Sequence, residues 1–597
     1  MATLEVAAAG FQAESAIPLG AVSAIPSVEA LLVEVSASDL DELRTDPNVA
    51  LVAEGPAVRT HDVEGHALIR AGYAHDLAQF GAGITIAVLD TGVDASHPAL
   101  AEAVVGEACF TSDSCTDGAQ VGAGAARDLH GHGTAVAGII AGRATETLGA
   151  GVAPGASIFG YRVLSDSGSG SFTDVLAALN DILENRPEVD VVNMSLGTSN
   201  GFAPNCDNID VVHEAMASVV QQLRARGTLV VAASGNSGLT GALSSPSCLT
   251  SVISVGAVYD ADIDGGASYG APSSCSDSAR AADRLACYSN SSSSLDVLAP
   301  SHCAVTATLL HGATSCFGGT SAAAPYVAGG LALFLARGAN TDLAASMLAY
   351  GPQVADHRTG ADGRLTPRLD LQAPLAALSV DSGTSSVSTP DDSITANGSS
   401  AATVTIALVD GAGDAVGGLP SVAFSTQLAG SAAAGPVTET ATPGTYNVSV
   451  TNTEADGSTF SVSVAGSALV QTTSIAFHAA VVDGAQSTSS LSPITPVSAD
   501  GTSAATATFV IRDQTGTPMA GIPSSSFEVT LSGAAVASSV LPVEGAAGNY
   551  RFAVTNTVAE TVTVGITAVG VAVASVLSVE FVAPPPPPPP PSGGGGG

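Results

Sequence analysis

From about residue 75 to 376 the chain reads as an α/β domain built on a parallel sheet with helices on both faces. A small α+β segment precedes it and two all-β sandwiches follow it. Three observations predict this. Short apolar runs alternate with helical segments through the middle of the chain. Beyond about residue 378 the texture changes to Ser, Thr, Ala and Val in period-two alternation, with Gly and Asp turns. That second texture repeats itself internally.

The first 60 residues contain the alternation Ala30–Val35, a helix-like stretch Ser38–Arg44 and a second strand-like run Val49–Val52, which together predict β-α-β. In the central part, Ile84–Leu89, Val189–Asn193, Thr228–Ala233 and Val252–Val255 read as buried strands. Ala135–Gly142, Phe172–Asn185, Val211–Arg226 and Ala322–Arg337 read as helices. Beyond the linker, Ile394–Thr403 recurs as Val497–Thr506 and Gly444–Thr453 as Gly548–Thr557, which predicts sandwiches over 378–480 and 481–583. The uncharged run Val562–Val579 is long enough to span a membrane, but its Thr-Val-Thr-Val alternation predicts strands. Residues 584–597 close with eight prolines, a serine and five glycines, a stiff spacer followed by a flexible one.

All 17 basic residues among the 597 are arginines. Without lysine the chain cannot be a P-loop NTPase, a protein kinase or a Schiff-base enzyme, each of which needs an amine. A net charge of −37 leaves no basic stripe for a phosphate backbone, so neither nucleic acid nor an anionic membrane surface is an expected partner. The eight cysteines, Cys109, Cys115, Cys206, Cys248, Cys275, Cys287, Cys303 and Cys316, are confined to the central part. Three short gaps (109/115, 275/287, 303/316) suggest local disulfides and an oxidising, extracellular or cell-surface setting. No C-x₂-C spacing points to zinc. Met1–Gly20 has neither a basic n-region nor a sustained apolar run, so an export signal is not expected within this chain.

Three fragments carry chemistry. Asp90-Thr91-Gly92 follows a strand directly, at the carboxyl edge where open α/β sheets bind ligands. The triplet also fits half of an aspartic peptidase dyad, with Asp166-Ser167-Gly168 or Asp381-Ser382-Gly383 as the other half. Asp128-Leu129-His130-Gly131-His132-Gly133-Thr134 places histidines at the head of a helix of small residues, and His130 with His132 is also half of a metal site. Gly318-Gly319-Thr320-Ser321-Ala322-Ala323-Ala324-Pro325 puts a serine where a helix begins, either as a plain cap or with N–H groups facing developing negative charge.

In the order Asp, His, Ser, these fragments resemble the subtilisin family of serine peptidases (subtilases, family S8). The resemblance covers about 75 to 376 and extends to Gly151–Ala156, Asn193-Met194-Ser195-Leu196-Gly197 and Ala232-Ala233-Ser234-Gly235-Asn236. It implies a subtilisin-like domain over 61–377 in which Ser321 is the nucleophile, His132 the general base and Asp90 the residue orienting the imidazole. Asn236 would line the oxyanion hole with the Ser321 N–H. Gly168-Ser169-Gly170 and Ser195-Leu196-Gly197 would pair with an extended polypeptide substrate. No acidic residue stands out in these segments, so an apolar or broad P1 preference is expected. Tyr326 stands where the family often has histidine and Ala322 where methionine is common. The chemistry that the resemblance implies requires no cofactor; Ala99 stands where many members carry a calcium-ligating aspartate, so that calcium site is not carried over and a structural calcium is left unassigned. Residues 1–60 resemble an incomplete inhibitory propeptide, implying a zymogen whose own N-terminal segment acts as its inhibitor until it is cut off.

The paired C-terminal domains resemble the invasin-like immunoglobulin-type repeats of bacterial surface proteins, through their Ala-x-Gly-x-x-Ala and Gly-x-Tyr patterns. They are expected to act as a stalk, or else to contact a cell surface or polymer. The leading expectation is a secreted serine endopeptidase. The alternative is a surface adhesin whose peptidase-like domain is inactive.

Overall fold

The computed structural model describes residues 63–586, apart from 112–114, 116–119, 204, 264, 271–272, 362, 392 and 574, and the backbone of four strands ahead of them. Those strands, β1 (Ala2–Ala7), β2 (Val22–Ile25), β3 (Ala30–Val35) and β4 (Leu51–Glu54), form an antiparallel sheet in the order β2-β3-β1-β4. β3 and β4 fall where the apolar runs predict strands. β1 and β2 are additional, and β1 is central, paired with both β3 and β4. The helix expected at Ser38–Arg44 and most of the proline-glycine tail lie outside the described residues.

Seven strands make the central sheet: β5 (Thr85–Asp90), β6 (Val104–Cys109), β7 (Ser157–Arg162), β8 (Val191–Met194), β9 (Leu229–Ala233), β10 (Ile253–Val258) and β11 (Val297–Pro300). Their order is β11-β10-β9-β8-β5-β7-β6 and every neighbouring pair is parallel. Both faces are covered, which is why the central strands read as unbroken apolar runs. β6, β7 and β11 escape that reading because Gly106 and Glu107, Gly160 and Arg162, and Pro300 interrupt them.

Side-chain alternation divides the core in two. Ile86 and Val88 face helices α1 (His132–Ala141) and α4 (Thr320–Ala336), while Ala87 and Leu89 face α2 (Phe172–Asn185) and α3 (Val211–Ala225). Asp90 continues the Ile86–Val88 row, so its carboxylate falls on the α1/α4 side. α1 and α4 are apolar all round and almost wholly buried, as central helices must be. α2 and α3 are amphipathic and capped by side chains: Ser171 accepts from the Thr173 N–H, and Asp210 from those of Val212 and His213. Four disulfides close loops around this domain. Cys109–Cys115, Cys275–Cys287 and Cys303–Cys316 have the short gaps noted above, and Cys206–Cys248 joins the remaining two.

Each C-terminal repeat is a sandwich of two sheets with the same strand order. In the first, Ser386–Ser388, Ala401–Ala407, Thr445–Thr451 and Ala433–Ala434 face Ser393–Ala396, Thr473–Ala479, Gly457–Val464 and Phe424–Leu428. The run Val562–Val579 spans strands Thr561–Ala568 and Val571–Ala572 and the start of Leu577–Val582. Among the described residues no helix is long and apolar enough to cross a membrane. The Gly-x-Tyr signature has a structural cause. Tyr446 is fully buried, accepting from the Leu419 N–H and donating to the Val416 carbonyl, and Tyr550 does the same with Ile522 and Met519. Tyr446→Phe therefore strands two buried backbone groups and is expected to cost about 1–3 kcal/mol, measured as a lower urea midpoint for the first sandwich with an unchanged m-value.

Candidate active site

In the central sheet β5 is flanked by β7 on one side and β8 on the other, so the chain leaves it in opposite directions. The crevice outside its carboxyl end is where such sheets bind ligands. Asp90, the last residue of β5, is fully buried there, and its Oδ1 accepts from the Thr91 N–H at 2.7 Å. His132, the first residue of α1, places Nδ1 2.8 Å from the same oxygen. This leaves Nε2 as the ring's other proton-carrying position.

Two glycines allow a strand end and a helix start to meet this closely. A Cβ on Gly133 would lie 2.0 Å from the Gly92 carbonyl oxygen and 3.0 Å from the Asp90 Cβ. One on Gly92, at φ 108°, would lie 2.2 Å from the Ala126 oxygen. His-Gly-Thr thus owes its glycine to contact with Asp-Thr-Gly, and Asp-Thr-Gly owes its own to the Ala126-Arg127 backbone that leads toward His132.

Burial by itself lowers the His132 pKa, because the interior disfavours the imidazolium. The Asp90 charge and hydrogen bond, and then the charge of Asp128, outweigh it and leave the group above the ordinary histidine range. The Phe317 ring stands edge-on to the imidazole, with centroids 5.2 Å apart.

Ser321 is the second residue of α4, after Gly319 at φ 78°. Its Oγ donates to the Ser195 carbonyl at 3.1 Å, and the Ser195 hydroxyl donates back to the Ser321 carbonyl at 2.9 Å, so in this structure the hydroxyl is not bonded to His132. Asn236 accepts at Oδ1 from both the N–H and the hydroxyl of Thr320, at 2.8 and 3.0 Å, which fixes its amide plane and leaves Nδ2 as the donor edge. A cleft of about 570 Å³ brings His132, Ser321 and Asn236 together with both expected edge segments, Gly168-Ser169-Gly170 and Ser195-Leu196-Gly197. It has no carboxylate or guanidinium among its lining residues.

The competing assignments fare differently. Asp166 is bonded to Arg162 and Asp381 accepts from the Gly383 N–H, so neither forms a dyad with Asp90. His130 lines the cleft with its ring centroid 6.3 Å from that of His132, and among the described residues no group of three or more His, Cys, Asp and Glu side chains is gathered as a metal would require. Ala99 is fully buried and brings no side-chain oxygen, so the residues present do not fit the family's calcium site at that position. Tyr326, which stands where the family often has histidine, is fully buried within α4 and does not line the cleft.

Three residues around the site carry no expectation from the sequence: Thr320, which orients Asn236; Ser244, which lines the cleft from the end of the short strand Leu243–Ser244; and Asp128. Thr320 and Asp128 both stand inside quoted motifs. Asn236, the partner of Thr320, and Thr91, one of the partners of Asp128, come from distant segments, and spacing does not reveal them.

Comparison with known proteins agrees with this geometry. Residues 81–350 match the subtilase family model, and residues 381–480 match that of invasin, domain 3. Subtilisin E of Bacillus subtilis (strain 168) is 32% identical over 316 residues, 51% of this chain and 71% of that protein. An intracellular serine protease of Paenibacillus polymyxa is 35% identical over 257 residues, 42% of this chain and 67% of that protein. A solved cold-adapted subtilisin-like serine proteinase is 26% identical and covers 49% of this chain and 89% of that one, with a TM-score of 0.37. With the Asp, His and Ser motifs now seen around one cleft, and with relatives matched over two thirds and more of their length, the chain belongs to the subtilisin family of serine proteases.

Proposed function

We propose that the chain is a secreted serine endopeptidase that cuts polypeptides through an acyl-enzyme. The observation that carries this reading is the buried Asp90–His132 hydrogen bond opening onto the cleft that also holds Ser321. Ser321 Oγ turns from the Ser195 carbonyl and attacks the scissile carbonyl carbon while His132 Nε2 takes its proton. The tetrahedral oxyanion accepts from Asn236 Nδ2 and the Ser321 N–H, with the positive end of α4 behind it. Collapse breaks the C–N bond, and the leaving amine takes the proton from His132. Water, activated by the same imidazole, then releases the acyl group and regenerates the Ser321 hydroxyl. Asp90 holds the tautomer throughout, and no cofactor enters any step.

The cleft's lack of charged lining supports a broad or apolar P1 preference. The four-stranded N-terminal sheet is read as a propeptide that occupies the cleft and is then removed, and the disulfides support an extracellular or cell-surface location. The sandwiches serve as a stalk that holds the catalytic domain away from its attachment or brings it to a surface. The adhesin alternative has no observation of its own in its favour.

Incubation of the full chain with casein and a fluorophosphonate is expected to label Ser321 and abolish hydrolysis. Ser321→Ala should neither label nor cleave, and hydrolysis that survives in that variant would sink the reading. Asn236→Leu should lower kcat about 10²–10³-fold, a magnitude known from the oxyanion-hole asparagine in this same family. The base works only as neutral imidazole, and Asp90 and Asp128 favour its protonated form, so activity should be lost as pH falls through a value above about 6.5. A kcat/KM profile with its acid limb at or below that value would contradict the assignment. Mass spectrometry of purified protein should show loss of roughly the first 55 to 70 residues in the wild type and a full-length Ser321→Ala chain; identical N-termini would end the propeptide reading.

A further inference from the structure

We propose that Asp128 is a positioning residue for this reaction: its buried carboxylate ties the Asp90 segment to the turn that carries His132 and sets a second negative charge behind the imidazole. The inference rests on the peptidase reading and adds to the triad a residue that reaches the chemistry only through others.

Asp128 is only 3% exposed, yet it is not paired with a cation. Five donors converge on it instead. Oδ1 accepts from the Thr91 hydroxyl and from the N–H groups of His130 and Gly131, each at 2.9 Å. Oδ2 accepts from the N–H and the hydroxyl of Thr134, at 3.0 and 2.6 Å. Thr91 follows Asp90 directly, and its hydroxyl also accepts from the Gly133 N–H at 3.0 Å. Asp128, Thr91 and Gly133 therefore form a closed bracket around His132, with one end on the strand that supplies the triad carboxylate and the other on the first turn of α1.

Only a carboxylate satisfies all five donors, because an amide would turn an NH₂ toward at least one of them. Gly131 caps α1 without any side-chain bond of its own, so the acceptors for this helix start come from Asp128. A plain cap would account for the Gly131 and Thr134 bonds. It would not account for the bond to Thr91, which lies on a different element.

The groups facing the His132 ring are few. Asp90 and Asp128 bring negative charge, His130 contributes a second imidazole, and Phe317 and Ser321 are neutral. Arg162, on the adjacent strand β7, is engaged by Asp166 and the Arg127 carbonyl. Asp128 is thus the one charge besides Asp90 that favours the imidazolium formed as Ser321 loses its proton.

Two variants separate charge from tether, each assayed in the full chain with active sites titrated by fluorophosphonate. Asp128→Asn should move the acid limb of kcat/KM to lower pH and lower kcat per active site about 10- to 100-fold, with KM unchanged. Thr91→Val keeps the charge and removes the bracket; it should lower kcat while leaving the acid limb in place. A purely structural Asp128 would reduce the number of titratable sites and the melting temperature without moving the acid limb or kcat per site, and that result overturns the proposal. If Asp128→Asn does not fold, an unchanged kcat in Thr91→Val overturns it instead. Failure of the wild-type chain to label at Ser321 would bring down the peptidase reading and this inference with it.

Discussion

The contact on which the rest of the catalytic domain depends is the meeting of the carboxyl end of β5 with the first turn of α1. A 2.8 Å bond between Asp90 and His132 comes with two backbones that approach more closely than a side chain on Gly133 would allow. That close approach propagates outward. The helix starting at His132 must lie against the sheet, so it is made of small residues and is buried on every side, and the same holds for α4, which carries Ser321 beside it. The chain's preference for Ala, Gly and Val over aromatics is in this sense a packing solution. Narrow side chains let two central helices deliver their first turns to one cleft.

A small-residue core binds its elements with little apolar area per residue, and arginine supplies part of the remaining cohesion. Arg368 reaches from near the end of the domain to Asp283 and to the Leu68 carbonyl, and Arg70 reaches in the opposite direction to Asp370 and Gln372. Arg358 gathers the carbonyls of Cys287 and Ser289 with the Asp356 carboxylate. Each of these ties uses several donors of one planar fork, a geometry that an ammonium cannot reproduce. The absence of lysine therefore coincides with cations placed as internal fasteners. Arg368 is buried and Arg358 nearly so, while Arg70 keeps nearly half of its side chain in solvent.

How far the sequence could be read follows from how local each signal is. Phe172–Asn185 and Val211–Ala225 are legible to within a residue, because an amphipathic stripe and a capping Ser or Asp mark both helices from within. Motif residues at the ends of buried strands are legible because order along the chain survives folding, and all of the expected cleft residues converge. β6, β7 and β11 are not legible, since their glycines, charges and proline are tolerated only because neighbouring strands complete the sheet. The pairing of Cys206 with Cys248 and the bracket around Asp128 are equally hidden, as each joins segments far apart in sequence. The Ser195 carbonyl as partner of the Ser321 hydroxyl belongs with them.

The two sandwiches repeat one fold but join the molecule by different physics. The buried apolar residues of the first are continuous with the α1/α4 side of the catalytic core, whereas those of the second form a core of their own. Between the two repeats the contacts are polar: Asn397 donates to Asp513 at 2.6 Å, and Gln514 bridges Thr395 and the Val481 N–H. An apolar joint resists opening because water gains access to hydrocarbon. A joint of amides and carboxylates can exchange its bonds for bonds to water at small net cost. The first sandwich thus shares one apolar core with the domain that carries the cleft, whereas the second meets the first through polar bonds.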